Sequence, residues 1–272
     1  MKLSLSTYFF IQESLNAVHA IMLRKMGFDE IELWAMPPHL NPTDTEKVKE
    51  LAALFNGEGI TVGTVHGPFY ETMGDASRGR WLSISDLNEK RRSNALGLIG
   101  RTADAMVILQ SRVMVLHFGA TGDLNRQDVL EAMLSSLISL QDNLSGYNIK
   151  LAFENLNTPF SSSGYMKNLL DRYDFSEMGL CFDTGHANVS EEVSSSIAGC
   201  GSRLCNLHIS DNNGFDDQHL IPGKGNIDWA RVWGALKEIG YDGNFTVEVR
   251  SGGNYEEELK EIREFWDNIN KQ

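Results

Sequence analysis

The sequence predicts an α/β fold, a single (β/α)8 TIM barrel spanning residues 1–272. Three observations predict it. Short apolar runs rich in β-branched residues alternate with stretches of helical periodicity, eight times along the chain. Three helix-to-strand joins share one form, Gly27-Phe-Asp, Gly146-Tyr-Asn and Gly240-Tyr-Asp, in which glycine supplies a left-handed residue after a helix. Such repetition is expected of stacked βα units. No G-x-G-x-x-G follows the first strand, which argues against an open, doubly wound sheet.

The elements follow in order. Residues 2–5 alternate and form a first strand, and a helix over 13–26 places Leu15, Val18, Met22 and Met26 on one face. Strands are predicted at 30–34, 60–66, 113–117, 149–154, 178–183, 204–209 and 244–249. Thr43-x-x-Glu46 has capping-box spacing and opens a helix through Phe55. A long insertion, 67–85, precedes a helix over 87–109. Asn125 caps the next helix, with Val129, Met133, Leu137 and Leu140 inward, and Asp228 caps a helix carrying Trp229, Val232, Trp233 and Leu236. Tyr255, Leu259, Ile262 and Trp266 lie on one face of the last helix.

Composition narrows the function. A net charge of −13, from 24 basic and 37 acidic residues, disfavours a broad nucleic-acid or membrane surface. No window approaches the ~20 apolar residues of a membrane span. The N-terminal run alternates and meets Glu13 before any signal core develops. Cys181, Cys200 and Cys205 form no C-x-x-C pair and suit the free thiols of a cytoplasmic protein, Cys181 packing in the barrel wall. His19, on a helix, and His39, in a Pro-rich loop, are expected to be solvated, and Asp216 to be a loop residue.

The chemistry sits at the strand ends. Strands three to eight finish on His66, His117, Glu154, Asp183, His208 and Glu248. His, Asp and Glu make up 44 of 272 residues, so six successive endings of this kind are not chance. In a barrel these ends share one face, the face that carries active sites. His186, Asp217 and His219 lie in the loops just beyond. Carboxylates and imidazoles converging there would repel or go unpaired without a divalent cation. Oxygen and nitrogen donors without thiolate suit Zn²⁺, Mn²⁺ or Fe²⁺, Zn²⁺ or Mn²⁺ first, and Mg²⁺ less well.

The same residues carry a resemblance. His66-Gly-Pro-Phe69, His117-Phe-Gly119, Phe153-Glu-Asn155, Phe182-Asp-Thr-Gly-His186, His208-Ile-Ser-Asp-Asn212, Asp217-Gln-His219 with Gly223-Lys-Gly225, and Val247-Glu-Val249 resemble the xylose isomerase-like barrel superfamily. That group holds sugar and sugar-phosphate isomerases and epimerases, inosose dehydratases and endonuclease IV-type apurinic-site nucleases. The resemblance implies one metal held by Glu154, Asp183, His208 and Glu248 in an epimerase. In a nuclease it implies a second ion at His66 and His117 and a third at His186, Asp217 and His219. The chain departs from xylose isomerase proper in having Leu156 where a lysine is expected, and from the nucleases in lacking a Gly-rich start.

The first expectation is therefore a metal-dependent sugar or sugar-phosphate isomerase or epimerase working through an enediolate, with Glu154 and Glu248 as its acid–base pair. Trp34, Phe69, Lys224 and Arg250 are candidate substrate contacts, and the partner is a sugar or polyol, with a homo-oligomer left open. The second is an endonuclease IV-like phosphodiesterase with clustered ions. It must grip several phosphates, and the basic residues of the expected mouth are few: Arg78, Arg80, Arg126, Lys167, Lys224 and Arg250. A non-catalytic binder on this scaffold is disfavoured by the complete ligand set.

Overall fold

The computed structural model describes residues 1–119, 126–156, 158 and 160–271. Eight parallel strands close into a barrel in sequence order, β1 (Lys2–Ser6), β2 (Glu30–Trp34), β3 (Thr61–His66), β4 (Val113–His117), β5 (Lys150–Glu154), β6 (Gly179–Asp183), β7 (Leu204–Ile209) and β8 (Asn244–Val247). Pairing of β8 with β1, Asn244 beside Lys2 through Val247 beside Leu5, completes the ring. Between and after the strands run α1 (Ala17–Lys25), α2 (Thr45–Gly57), α3 (Met73–Ala76), α4 (Glu89–Leu109), α5 (Gln127–Leu144), α6 (Ser163–Arg172), α7 (Thr184–Ser190), α8 (Val193–Cys200), α9 (Trp229–Glu238) and α10 (Tyr255–Ile269). Among the described residues no helix is long and apolar enough to cross a membrane.

A strand repeats every two residues, so each strand sorts its side chains between two environments. Leu5, Ile31, Leu33, Val65, Leu116, Phe153, Phe182, Leu207, Ile209 and Phe245 belong to the main core shared with the helices. Several of the alternate positions, Ser4, Glu32, Thr64, Asn206 and Thr246, are equally buried but polar. Contacts between strands that are not neighbours place part of this second set inside the ring. The Asn206 side chain of β7 donates to Glu32 of β2 at 3.3 Å, and Glu32 also accepts from Thr64 at 3.0 Å. Val115, Ala152 and Cys181 cluster together as a small apolar layer, with Cys181 fully buried.

Several local expectations are corrected. The first helix begins at Ala17, not at 13, because Asn16 caps it and accepts from Val18 N at 2.8 Å. Its buried face is His19, Ala20 and Leu23, while Val18 is 65% exposed. His19 is therefore not solvated. Its Nδ1 closes a capping box on the Asn16 amide at 3.2 Å, and its ring packs on Phe10. His39 is also buried, its Nε2 3.0 Å from Phe10 O, and burial pushes its pKa down to about 4. Asp44 rather than Thr43 caps α2, accepting from Lys47 N. Gly27 and Gly240 have the expected positive φ, 82° and 68°, whereas Gly146 does not. Asn125 lies outside the described residues; α5 starts after Arg126, which makes no side-chain cap.

The loop between β7 and α9 brings Asp217 and His219 toward the strand ends, and one buried carboxylate staples it. Asp211 accepts from Gly223 N at 2.8 Å, Ile227 N at 3.2 Å and Trp229 Nε1 at 2.9 Å. Asp228 then caps α9 through Arg231 N, as expected. The staple leaves no room at Gly225, where a Cβ would fall 2.2 Å from Asn212 O. Gly234, in the exposed face of α9, meets nothing within 4 Å. The same substitution should therefore act in opposite directions. In urea unfolding, Gly225→Ala is expected to lose about 2–4 kcal/mol, and Gly234→Ala to gain about 0.5–1 kcal/mol. Equal effects would refute the staple.

Candidate metal centre

The strand ends converge as ligands must. One ligand atom from each of Glu154, Asp183, His208 and Glu248 lies within 4.8 Å of the others. That spread is close to what a shared ion with bonds of about 2.0–2.2 Å requires. All four residues are buried. His208 Nδ1 lies 3.3 Å from Glu154 Oε1 and 3.2 Å from Glu248 Oε2. Asp183 Oδ2 is buried without a hydrogen-bond partner. An unpaired buried acceptor is costly, and a cation in contact with it removes that cost. The donor set therefore fits a divalent metal on its own geometry.

Two further groups adjoin this one. His66 and His208 converge on Glu154, and His186 and His219 converge on Asp217. His66 Nε2 is 3.2 Å and His117 Nε2 3.5 Å from Glu154 Oε2. His186 Nδ1 is 3.3 Å from Glu154 Oε1, and its Nε2 is 3.2 Å from Asp217 Oδ2. His219 Nε2 is 3.1 Å from the same Asp217 oxygen, and its Nδ1 is 3.0 Å from Glu248 O. Asp216 takes no part.

Electrostatics separates the carboxyls. Burial pushes Asp183 up to about 6, with the charge of Glu154 adding to the effect and His186 opposing it. Burial works the same way on Glu248, yet the charge and hydrogen bond of His208 hold it down at about 2. Glu154 is likewise held well below the usual carboxylate range, against its burial, by His208, His117 and His186.

Two buried residues that the strand-end pattern did not single out hold the candidate ligands. Glu32 reaches across the ring so that its Oε1 lies 3.0 Å from His208 Nε2, leaving Nδ1 turned toward Glu154 and Glu248. Its place in the alternation Glu30-Ile-Glu32-Leu-Trp34 is the signal that could have found it. Asn155 clamps the end of β6, accepting from Asp183 N at 2.7 Å and donating to Asp183 O at 3.0 Å. Glu248 Oε1 accepts from Trp34 Nε1 at 3.2 Å and from Ser6 Oγ at 3.3 Å.

A cavity of about 350 Å³ opens on the centre, with His66, His117, Glu154, His186, His219 and Glu248 along one side. Trp34 and Phe69 line it, and so does Tyr8, which stacks on Trp34 and was not anticipated. Lys224 and Arg250 do not line it. Lys224 is drawn instead into an exposed pair with Glu261 at 3.2 Å, because its turn faces α10. Arg250 lies past the strand end, exposed, with its amide bonded to His219 O.

With this geometry in place, comparison with known proteins is informative. Residues 22–269 match the family of xylose isomerase-like TIM barrels. The chain belongs to that family. Within the family it is 29% identical over 282 residues to an uncharacterized protein of Methanocaldococcus jannaschii, covering 97% of this chain and 90% of the other. It is 26% identical over 254 residues to the D-psicose 3-epimerase of Ruminiclostridium cellulolyticum, covering 88% and 80%. The solved structure of a D-tagatose 3-epimerase-like protein superposes with a TM-score of 0.81 at 25% identity, covering 100% and 99%. Relatives in this xylose isomerase-like family thus include sugar epimerases.

Two tests address the centre. Removing the Glu32 charge should loosen the His208 imidazole, so Glu32→Gln is expected to weaken Mn²⁺ or Zn²⁺ affinity about 10–100-fold by calorimetry; unchanged affinity would contradict its role. The second concerns pH. Although burial opposes its protonation, Asp217 raises His219 from its ordinary 6.5 to about 9. In the metal-free chain this pair stabilises the fold fully below about 6.5, and the contribution is lost as pH rises through about 9. Urea unfolding in chelator should show a decline over that window that is abolished by Asp217→Asn; an unchanged decline in the variant would rule the pair out.

Proposed function

We propose that the protein is a divalent-metal-dependent sugar epimerase or isomerase that moves a proton at the carbon beside a ketose carbonyl. One observation carries this reading. Glu154 and Glu248, from β5 and the end of β8, both line the cavity and meet the same atom of His208, at 3.3 and 3.2 Å. Two carboxylates brought together from distant strands, both held ionised, suit proton removal and return at one carbon. The kinship with sugar epimerases supports the same reading.

A metal held by Glu154, Asp183, His208 and Glu248, Zn²⁺ or Mn²⁺ by its donors, would supply Lewis acidity toward neighbouring substrate oxygens. The chain's own residues do the remaining work. One carboxylate accepts the proton, and the electron pair left on carbon forms the enediolate double bond as the carbonyl oxygen takes up the charge. A water held beside the opposite carboxylate gives a proton to the carbon as the carbonyl re-forms, and the first carboxyl passes its own proton to the hydroxide left behind. Delivery to the other face inverts the centre; delivery to the neighbouring carbon moves the carbonyl. Trp34 and Ser6 hold one Glu248 oxygen in place, leaving the other toward the centre.

The phosphodiesterase reading has the three adjoining ligand groups in its favour. The cavity speaks against it, since none of its described lining residues is lysine or arginine. Arg80 pairs with Asp75, Arg126 with Asp128, Lys167 with Asp171 and Lys224 with Glu261. Of the six basic residues expected at the mouth, only Arg78 and Arg250 make no ion pair among the described residues, too little positive charge for several phosphates.

The test uses Mn²⁺-loaded protein and a panel of unphosphorylated ketohexoses in D₂O, followed by NMR. Exchange of the hydrogen next to the carbonyl, with appearance of the epimer or isomer, is expected. Glu154→Gln and Glu248→Gln should each slow it by about 10²–10⁴-fold while leaving the thermal transition cooperative. Full activity in both variants would overturn the assignment.

A further inference from the structure

The outer part of the cavity is walled almost entirely by carbon. Trp34, Met36 and Tyr70 form a buried cluster separate from the main core, with Tyr8, Ile11, Phe69, Ala76 and Trp81 packed against it. Several of these face the cavity together with Met73, Leu82 and Leu156. The polar atoms of two walls are already engaged. The Tyr70 hydroxyl donates to Pro37 O at 2.6 Å, and Trp34 Nε1 donates to Glu248. The lobe is continuous with the centre, because Phe69 stacks on His117 at 4.4 Å between ring centroids and approaches Trp81 at 5.9 Å.

Such a wall discriminates by chemistry. A sugar hydroxyl pressed against it loses water and finds few partners, the Tyr8 hydroxyl and the Trp81 indole N–H among them. A phosphate would be buried without a cation, since the described lining holds no lysine or arginine. A neutral hydrocarbon group gains in proportion to the area it covers, and an aromatic one gains further from ring contacts. Met73, 47% exposed on α3, puts more carbon at the rim. The cavity, about 350 Å³, falls in the range used for substituted small molecules.

We infer that the substrate is an unphosphorylated ketose carrying a neutral aryl or alkyl substituent, gripped by this lobe while the reacting carbons meet the metal centre. The inference rests on the reading of the centre as a ketose site. It assigns the lobe of Phe69, Tyr70, Met73, Trp81 and Leu82, all from the long β3–α4 insertion, to the substituent.

The experiment is calorimetric titration of the Mn²⁺-loaded protein with D-fructose, its 1-O-benzyl and 6-O-benzyl ethers, and fructose 6-phosphate. One benzyl ether is expected to bind at least about tenfold tighter than fructose, and the phosphate ester no tighter than fructose. In Met73→Asp and in Trp81→Ala the ratio of benzyl-ether to fructose affinity should fall toward one, a ratio that general loss of fold does not produce. Benzyl ethers that bind no better than fructose, a phosphate ester that binds best, or a ratio that survives both substitutions would each overturn the assignment. Deuterium exchange on the same samples separates the two readings. A benzyl preference without exchange from any ketose removes the proposed reaction and keeps the lobe; exchange without preference removes the lobe and keeps the reaction.

Discussion

Three carboxylates and an imidazole buried within reach of one another, with one carboxylate oxygen unpartnered, are the constraint around which this molecule is arranged. Like charges brought that close out of water oppose folding unless something of opposite sign is placed among them. In the chain itself, histidines take that part. His208 stands between Glu154 and Glu248, and His186 between Glu154 and Asp217. The arrangement offsets charge yet leaves Asp183 Oδ2 buried without a partner, an acceptor that a cation would satisfy.

The barrel meets this demand through its interior. Where a barrel of this kind ordinarily fills its lumen with branched apolar layers, part of this one is polar, and Glu32 is its hinge. Bonded to Thr64 and Asn206 and set against His208, it turns a lumen position into support for a ligand. The pairing register shifts immediately before Glu32 in β2 and before Cys181 in β6, two residues ahead of Asp183. Irregularities of this sort re-aim side chains near functional sites. Above the rim, Asp211 fixes the loop that presents Asp217 and His219, and the β3–α4 insertion covers the opposite side with aromatic rings. Rigid strands thus carry the candidate ligands, while loops shape what reaches them.

Much of this was legible in the sequence. Strand alternation and the ends of strands three to eight are local signals, and one barrel rim collects them whatever the details between. Glu32 escaped notice because it lies inside a strand, not at its end, and only the ring's closure brings it opposite His208. Tyr8 escaped because nothing local sets a tyrosine after the first strand apart from a core residue; its stacking on Trp34 is a tertiary fact. His19 and His39 read as solvent-facing because polarity is the usual guide, but a capping box and a backbone carbonyl satisfy both beneath the surface. Lys224 read as a mouth residue from its Gly-rich turn, yet Glu261 of α10, distant in sequence, captures its amine. For Glu32, Tyr8, His39 and Lys224 the missing information was a partner far away along the chain; for His19 it was a cap on Asn16, three residues before it.

The arrangement turns on a cation among Glu154, Asp183, His208 and Glu248. Anomalous scattering from crystals grown with Mn²⁺ tests it most directly. The expected result is a peak within about 2.0–2.3 Å of an oxygen from each of the three carboxylates and of His208 Nδ1. Well-ordered side chains with no anomalous peak among them, or a peak found only elsewhere on the barrel, would contradict it.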